Sequence, residues 1–319
     1  MAETDRENRR IKVNGFALAV PVIIAVLIIA AAVYCVPKFG KVFADYRSAR
    51  SEYRAAEAEL DKVQKVNDDL SYTVGETEKL LTETDQLMQK TFKLAAKLEK
   101  DITDGKSNKK ICYITIDDGP YKRGQKYLDL FRKYDVKATF FLTTANGDKL
   151  PDQADIKASS VYNEYLKNGH TIGNHTYTHN YSDGGIYSDT GSFMKAVEDQ
   201  RKFTEAATGG YVPVIVRFPG GTGMAGSRLG TIEKALREKG YCWVDWTVDS
   251  GDSWGKDKVN SSLIKSNVLA ATKKQNIMVV LFHEWSQPTL DALPEIIDGL
   301  REKGYIFLPL FPESMMVEK

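Results

Sequence analysis

The sequence predicts an α/β fold: a deformed (β/α) barrel of about seven parallel strands, preceded by a transmembrane helix and a coiled-coil stalk. Three observations carry this. A long uncharged apolar run lies near the amino terminus, and an unbroken 3-4 spacing of apolar residues follows it. From Ile111 onward, β-rich runs alternate with helix-patterned segments.

Residues 1–15 are polar and are expected to form a cytoplasmic tail. Phe16 to Val36 carries no charge and is almost wholly apolar, long enough as a helix to cross a bilayer core. Ala30-Ala31-Ala32 resembles a cleavage site, but the apolar run continues through Val36, which favours an uncleaved anchor. Basic residues flank both ends (Arg6, Arg9, Arg10 and Lys12; Lys38, Lys41, Arg47 and Arg50), so charge barely orients the span. The short tail favours a cytoplasmic amino terminus, and the expectation is a single-pass cell-membrane protein whose bulk is extracytoplasmic.

Residues 42–102 read as the stalk. A heptad runs through Tyr46, Ala49, Tyr53, Ala56, Leu60, Val63, Asn67, Leu70, Val74, Thr77, Leu81, Thr84, Met88, Thr91, Ala95, Leu98 and Ile102. Asn67 and the threonines weaken the seam, as does Gly75 in mid-helix. A dimeric coil and an intramolecular hairpin broken near Gly75 are both open. The polar stretch 103–110 (TDGKSNKK) reads as a linker.

The domain at 111–319 has strand candidates at 111–116, 138–142, 170–174, 214–218, 241–248, 277–283 and 305–310. Helical stretches lie near 124–134, 159–167, 191–207, 228–239, 258–275 and 289–303. The joints KNGH (167–170) and EKGY (238–241 and 302–305) each place a lysine near a helix end, a glycine suited to the left-handed cap, and then a strand. Parallel strands with crossover helices gather their carboxyl ends at one face, where active sites are built. Five such ends carry polar clusters, and all four histidines lie in or beside them.

Acids and bases nearly cancel, leaving a net charge of +1, so nothing in the charge implies nucleic acid. The three cysteines form no metal-type spacing; Cys112 and Cys242 sit in apolar runs and read as buried thiols. His175 and His179, in HTYTH after a strand, can point both imidazoles one way on one turn of helix or a helix-like loop. With Asp118 they form two neutral donors and one carboxylate, which leaves room for water as in a catalytic metal site. Adjacent Asp117 and Asp118 make sense if one binds the cation and the other takes a proton from water. His170, at the start of a strand, reads as structural, and Trp243 and Trp246 read as core.

ITIDDGP (114–120), NHTYTH (174–179), RFPGG (217–221), DSGDSW (249–254) and LFHE (281–284) resemble, in order, the five motifs of the polysaccharide deacetylases, the NodB-homology domain of carbohydrate esterase family four. The resemblance covers roughly residues 110–312. It implies that Asp117 is the general base and that Asp118, His175 and His179 hold one divalent ion, zinc in most members and cobalt or another in some. Arg217 would orient the base. The backbone N–H of Gly220 would stabilise an oxyanion, and His283 would be the general acid, held by Asp252. Leu281 and Trp254 would wall an acetyl pocket; Trp285, two residues after His283, could stack on a sugar. Glycine stands at 220 where many relatives carry tyrosine. Ser253 separates Asp252 from Trp254, leaving Asp249 or Asp252 as the partner of His283.

The implied activity is removal of acetyl groups from N-acetylglucosamine units of a cell-wall polysaccharide, with peptidoglycan favoured by the anchor and stalk. The other readings are a catalytically degenerate wall-binding or scaffolding module, and deacetylation of chitooligosaccharide or poly-N-acetylglucosamine. The expected partners are the polysaccharide, the membrane through residues 16–36, and a second copy through the coil.

Overall fold

A computed structural model of the protein describes residues 41–121, 123–145, 158–182, 184–255 and 259–314. The tail at 1–15 and the apolar run at 16–36 lie outside the described residues. No helix within them is long and apolar enough to cross a membrane.

The chain divides into two compact units, Met1–Met88 and Gln89–Lys319. Helix α1 (Lys41–Thr103) contributes to both. In the first unit its described side chains are largely exposed, the seam residues Tyr53, Leu60, Leu70 and Val74 among them. Gly75 does not break the helix.

The second unit begins with the last turns of α1. There Ala95 and Ile102 are buried with Ile111, Tyr113, Val279 and Leu310, and Phe92 stacks on Phe311 with ring centroids 5.1 Å apart. Glu99, fully buried, accepts hydrogen bonds from Tyr113 and from Ser314 Oγ. The compact unit therefore starts within the predicted stalk, ahead of the predicted domain start at 111.

Strands β1 (Lys110–Gly119), β2 (Thr139–Leu142), β3 (Thr171–Asn174), β4 (Ile215–Val216), β5 (Cys242–Trp243), β6 (Val248–Asp249) and β7 (Ile277–His283) form one sheet in the order β5-β4-β3-β2-β1-β7-β6. Every pairing is parallel. β8 (Tyr305–Phe307) pairs with the first residues of β1, below the stretch that β2 occupies. Helices α2 (Gly124–Lys133), α3 (Ala158–Lys167), α4 (Thr190–Thr208), α5 (Leu229–Glu238), α6 (Ser261–Ala271) and α7 (Gln287–Glu302) supply the crossovers, with a 3-10 helix at Thr222–Arg228.

The two end strands of this path, β5 and β6, are separated by only residues 244–247, so the sheet must curl until its edges approach. It does not close by a ladder among the described residues. The predicted strand at 241–248 is instead two short strands, because the carbonyls of Val244 and Asp245 accept from Arg217 at 3.2 and 3.0 Å.

Alternation along the strands sets the two layers. Cys112, Ile114 and Ile116 of β1 and Met278, Val280 and Phe282 of β7 face the helices, packing with Tyr127, Phe131, Ile296 and Ile297. Ile111 and Tyr113 of β1 and Val279 of β7 fill the interior above Ile102. A sheet covered on both faces needs such near-continuous apolar strands. Continuing the same interior columns by two and four residues reaches Thr115 and Asp117 on β1, and Leu281 and His283 on β7.

Candidate active site

The site lies at the carboxyl ends of β1, β3, β4, β6 and β7. Asp117 ends the interior column of β1 and is 2% exposed. In an unbroken strand Asp118 would point to the opposite face. The ladder with β2 shifts register between Asp117 and Gly119, and Asp118 adopts φ 67. This irregularity re-aims Asp118, so that both carboxylates serve one mouth.

His175 and His179 follow β3 on a loop and not on a turn of helix; the spacing allowed either. Thr176 and His179 have φ 63 and 48, left-handed values rare for side-chain-bearing residues. Asn174 holds the loop by accepting from Thr176 N–H and donating to Val197 O. The result brings His175 Nε2 and His179 Nε2 within 3.2 Å of each other, and 3.5 and 3.1 Å from Asp118 Oδ1.

These three residues offer ligand atoms that all lie within 4.8 Å of one another. Ligands about 2.0–2.1 Å from a tetrahedral centre stand roughly 3.4 Å apart, so the spacing suits one small divalent ion. The orientation of the donors fits as well. His175 Nδ1 lies 2.9 Å from Arg217 O, a carbonyl that can only accept, so Nδ1 carries the proton and Nε2 presents its lone pair. Asp118 Oδ2 accepts from Trp285 Nε1 at 2.9 Å, leaving Oδ1 toward the imidazoles.

Burial opposes charge on Asp118, but hydrogen bonds and charge from His175 and His179 outweigh it and hold the carboxyl well below its usual range. Burial likewise lowers the pKa of His175, and the charge of Asp117 with the hydrogen bond to Asp118 raises it above the ordinary value.

Arg217, just after β4, is fully buried. Its Nη1 donates to Asp117 Oδ1 at 3.0 Å and to Thr115 Oγ1 at 2.6 Å. The guanidinium packs over Phe141, 4.1 Å from the ring centroid. Asp117 Oδ2 stands 3.7 Å from His175 Nε2. One carboxylate oxygen is thus held by Arg217, and the other faces the metal-type cluster.

On the neighbouring strand β7, His283 Nδ1 is 2.7 Å from Asp252 Oδ1. Asp252 Oδ2 accepts from His283 N–H and from Thr289 Oγ1, both at 2.7 Å. Burial lowers the pKa of His283, but Asp252, with Asp118 and Asp117, raises it to about 9. Asp249 accepts instead from Gly251 N–H at 2.8 Å and from Trp254 Nε1 at 3.4 Å. The structure therefore pairs His283 with Asp252, the choice that the sequence left open.

A model of the polysaccharide deacetylase family matches residues 104–242. A peptidoglycan-N-acetylglucosamine deacetylase of Bacillus cereus is 35% identical over 211 residues, covering 65% of this chain and 71% of the relative. The chain belongs to the polysaccharide deacetylase family. Among solved structures, the catalytic domain of a peptidoglycan N-acetylglucosamine deacetylase from Eubacterium rectale is similar, with 31% identity, a TM-score of 0.58, and coverage of 66% of this chain and 93% of that one. A polysaccharide deacetylase from Bacillus cereus has 30% identity and a TM-score of 0.55, covering 64% and 94%.

In this deacetylase the pocket residues expected from the motifs lie as follows. Gly220 has φ 75, a left-handed value that favours glycine, and a Cβ there would stand 2.8 Å from Met224 Cγ. Leu281 is buried beside Asp249 and Thr115 in the ladder. Trp254, despite the extra Ser253, lies against Gly251 and is 55% exposed. Trp285, expected at a sugar ring, spends its indole N–H on Asp118, and its ring centroid lies 5.2 Å from that of His283. His170 is a buried acceptor for Ala138 N–H, and burial pushes it down to about 4, consistent with a structural role.

Four contributors escaped the sequence reading: Thr115, Thr289, Asp245 and Glu284. Asp245 accepts from Thr222 N–H at 3.1 Å, bracing the loop that carries Gly220. Thr115 and Glu284 lie within quoted motifs, which is a signal of place but not of partner. Nothing local in the sequence singles out Thr289 or Asp245.

Proposed function

We propose that this chain is a metal-dependent deacetylase that hydrolyses the N-acetyl group of N-acetylglucosamine units in peptidoglycan. The observation that carries the reading is one mouth holding Asp118, His175 and His179 within 4.8 Å, with the Arg217–Asp117 pair and the Asp252–His283 pair on its walls. The substrate class follows the names of the relatives.

Asp118, His175 and His179 would hold one divalent ion, zinc best fitting two imidazoles and a carboxylate, with cobalt as a substitute. When bound, such an ion polarises an amide oxygen and makes water more acidic. Asp117, anchored through Oδ1 by Arg217, takes a proton from the attacking water on Oδ2. The backbone N–H of Gly220 donates to the oxyanion that develops on the acetyl carbonyl. His283, protonated at neutral pH and oriented by Asp252, gives the proton of Nε2 to the leaving amine. Breaking the C–N bond then frees acetate and a glucosamine unit. Leu281 and Trp254 bound the space for the acetyl methyl. A catalytically degenerate module would lack at least one of these groups.

The sequence of 16–36 supports anchorage in the cell membrane with the deacetylase outside the cytoplasm, and the part of the heptad ahead of Gln89, with Tyr53, Leu60, Leu70 and Val74 exposed, supports pairing with a second copy. Retention in carbonate-washed membranes and the mass of the detergent-solubilised chain test these two points.

The full chain should release acetate from peptidoglycan, stop after chelation, and resume with zinc or cobalt. A chain that holds metal yet releases no acetate from peptidoglycan, chitooligosaccharide or poly-N-acetylglucosamine would sink the assignment. Acetate from one of the latter two alone would move the substrate.

A further inference from the structure

Glu284 directly follows the proposed acid His283, is fully buried, and takes no part in the chemistry above. Its Oε1 accepts from Tyr121 N–H at 2.7 Å, and the Tyr165 hydroxyl lies 3.0 Å from both carboxyl oxygens. Its own N–H donates to Asp117 O at 3.0 Å. The carboxyl thus sits against the turn that leaves β1, beside Gly119, Tyr121 and Gly124, while the Glu284 backbone holds Asp117 O.

The turn is shaped around this carboxyl. A Cβ on Gly119 would stand 2.2 Å from Glu284 Oε2, and one on Gly124 would stand 2.6 Å from Oε1. Both glycines leave the space that the acid occupies. Pro120 has no N–H, and Tyr121 N–H lies beyond the end of the β1 ladder, so without Glu284 a donor at the mouth would lose its partner.

We propose that Glu284 is a positioning residue: it pins the backbone of residues 117–121 and so fixes where the carboxylates of Asp117 and Asp118 point. This rests on the reading of Asp118 as a metal ligand. The action is by hydrogen-bond length and not by charge. A glutamine keeps an acceptor for Tyr121 and offers an N–H to the Tyr165 oxygen, whereas an aspartate is one methylene too short to reach Tyr121.

The test is zinc and cobalt binding by calorimetry on the chelator-stripped full chain, with kcat, KM and thermal unfolding in parallel. For Glu284→Ala and Glu284→Asp the expected result is at least tenfold weaker metal binding and a kcat at least tenfold lower, with KM within about twofold. Glu284→Gln should stay within about threefold of the parent in both. If Glu284→Ala does not fold, the aspartate and glutamine variants decide. Wild-type metal affinity in Glu284→Asp overturns the proposal, as does a glutamine variant as weak as the aspartate one. A parent chain that binds neither ion overturns the metal reading and this inference with it.

Discussion

Asp117 and His283 are register partners on the neighbouring parallel strands β1 and β7. Both continue interior columns that begin in the apolar core near Tyr113 and Val279. The residues proposed as base and acid are therefore set side by side by backbone hydrogen bonding, and each has a different buried partner, Arg217 or Asp252.

Asp117→Asn should lower kcat by about a hundredfold to ten-thousandfold, the range of a lost general base, with metal affinity retained. Acetate release and metal titration check this together. Loss of the metal on this substitution would exchange the roles of the two aspartates.

His283 works as an acid only while protonated, and its pKa is raised to about 9. Activity should hold below that value and fall as pH rises through it. In Asp252→Asn the main raising interaction is gone, so the alkaline limb should move to lower pH. His283→Ala should lose the limb along with most of kcat. A pH–rate profile of the three proteins is decisive, and an unmoved limb in Asp252→Asn would contradict the pairing.

Metal affinity should fall on acidification. His175 is held above its ordinary pKa by Asp117 and Asp118, and a cation must displace that proton. Below the raised value the apparent affinity should weaken by about tenfold per pH unit for each proton displaced, and above it should level off. Calorimetry across pH 5 to 8 (about the range in which an imidazole titrates) measures the slope.

Arg217→Met should cost about 3–5 kcal/mol of stability, because it leaves Asp117 buried without its cation. Arg217→Lys keeps the charge but cannot reach Thr115, Asp117, Val244 O and Asp245 O together. It should therefore fold better than the methionine variant while remaining impaired in kcat. Chemical denaturation and acetate release separate the two effects.

A fragment beginning at Gln89 should fold and turn over, whereas one beginning at 107 should be markedly less stable. The shorter piece lacks Phe92 and Ile102, each worth about 1.5–3 kcal/mol if fully buried, and strips the partner from Tyr113. Thermal unfolding of the two fragments checks this; equal stability would show that the end of α1 is dispensable.

Much of the site was legible because its signals are local. Strand periodicity, glycine-marked helix ends and short polar clusters such as DDGP and HTYTH depend on residues close in sequence, and they located the strands, the crossovers and the three residues that cluster at the mouth. What escaped depends on contacts between different elements of the fold. The break at 244–247 arises because Arg217 claims two carbonyls there, the choice of Asp252 over Asp249 rests on Thr289 and His283, and the burial of Glu99 rests on Tyr113 and Ser314. Periodicity reports which face of a segment is apolar, but not which distant group will meet it. The sequence by itself thus determined the alternating architecture and the chemical inventory. Only the tertiary structure decided the pairings, since hydrogen bonds between separate elements exist only once the sheet has curled.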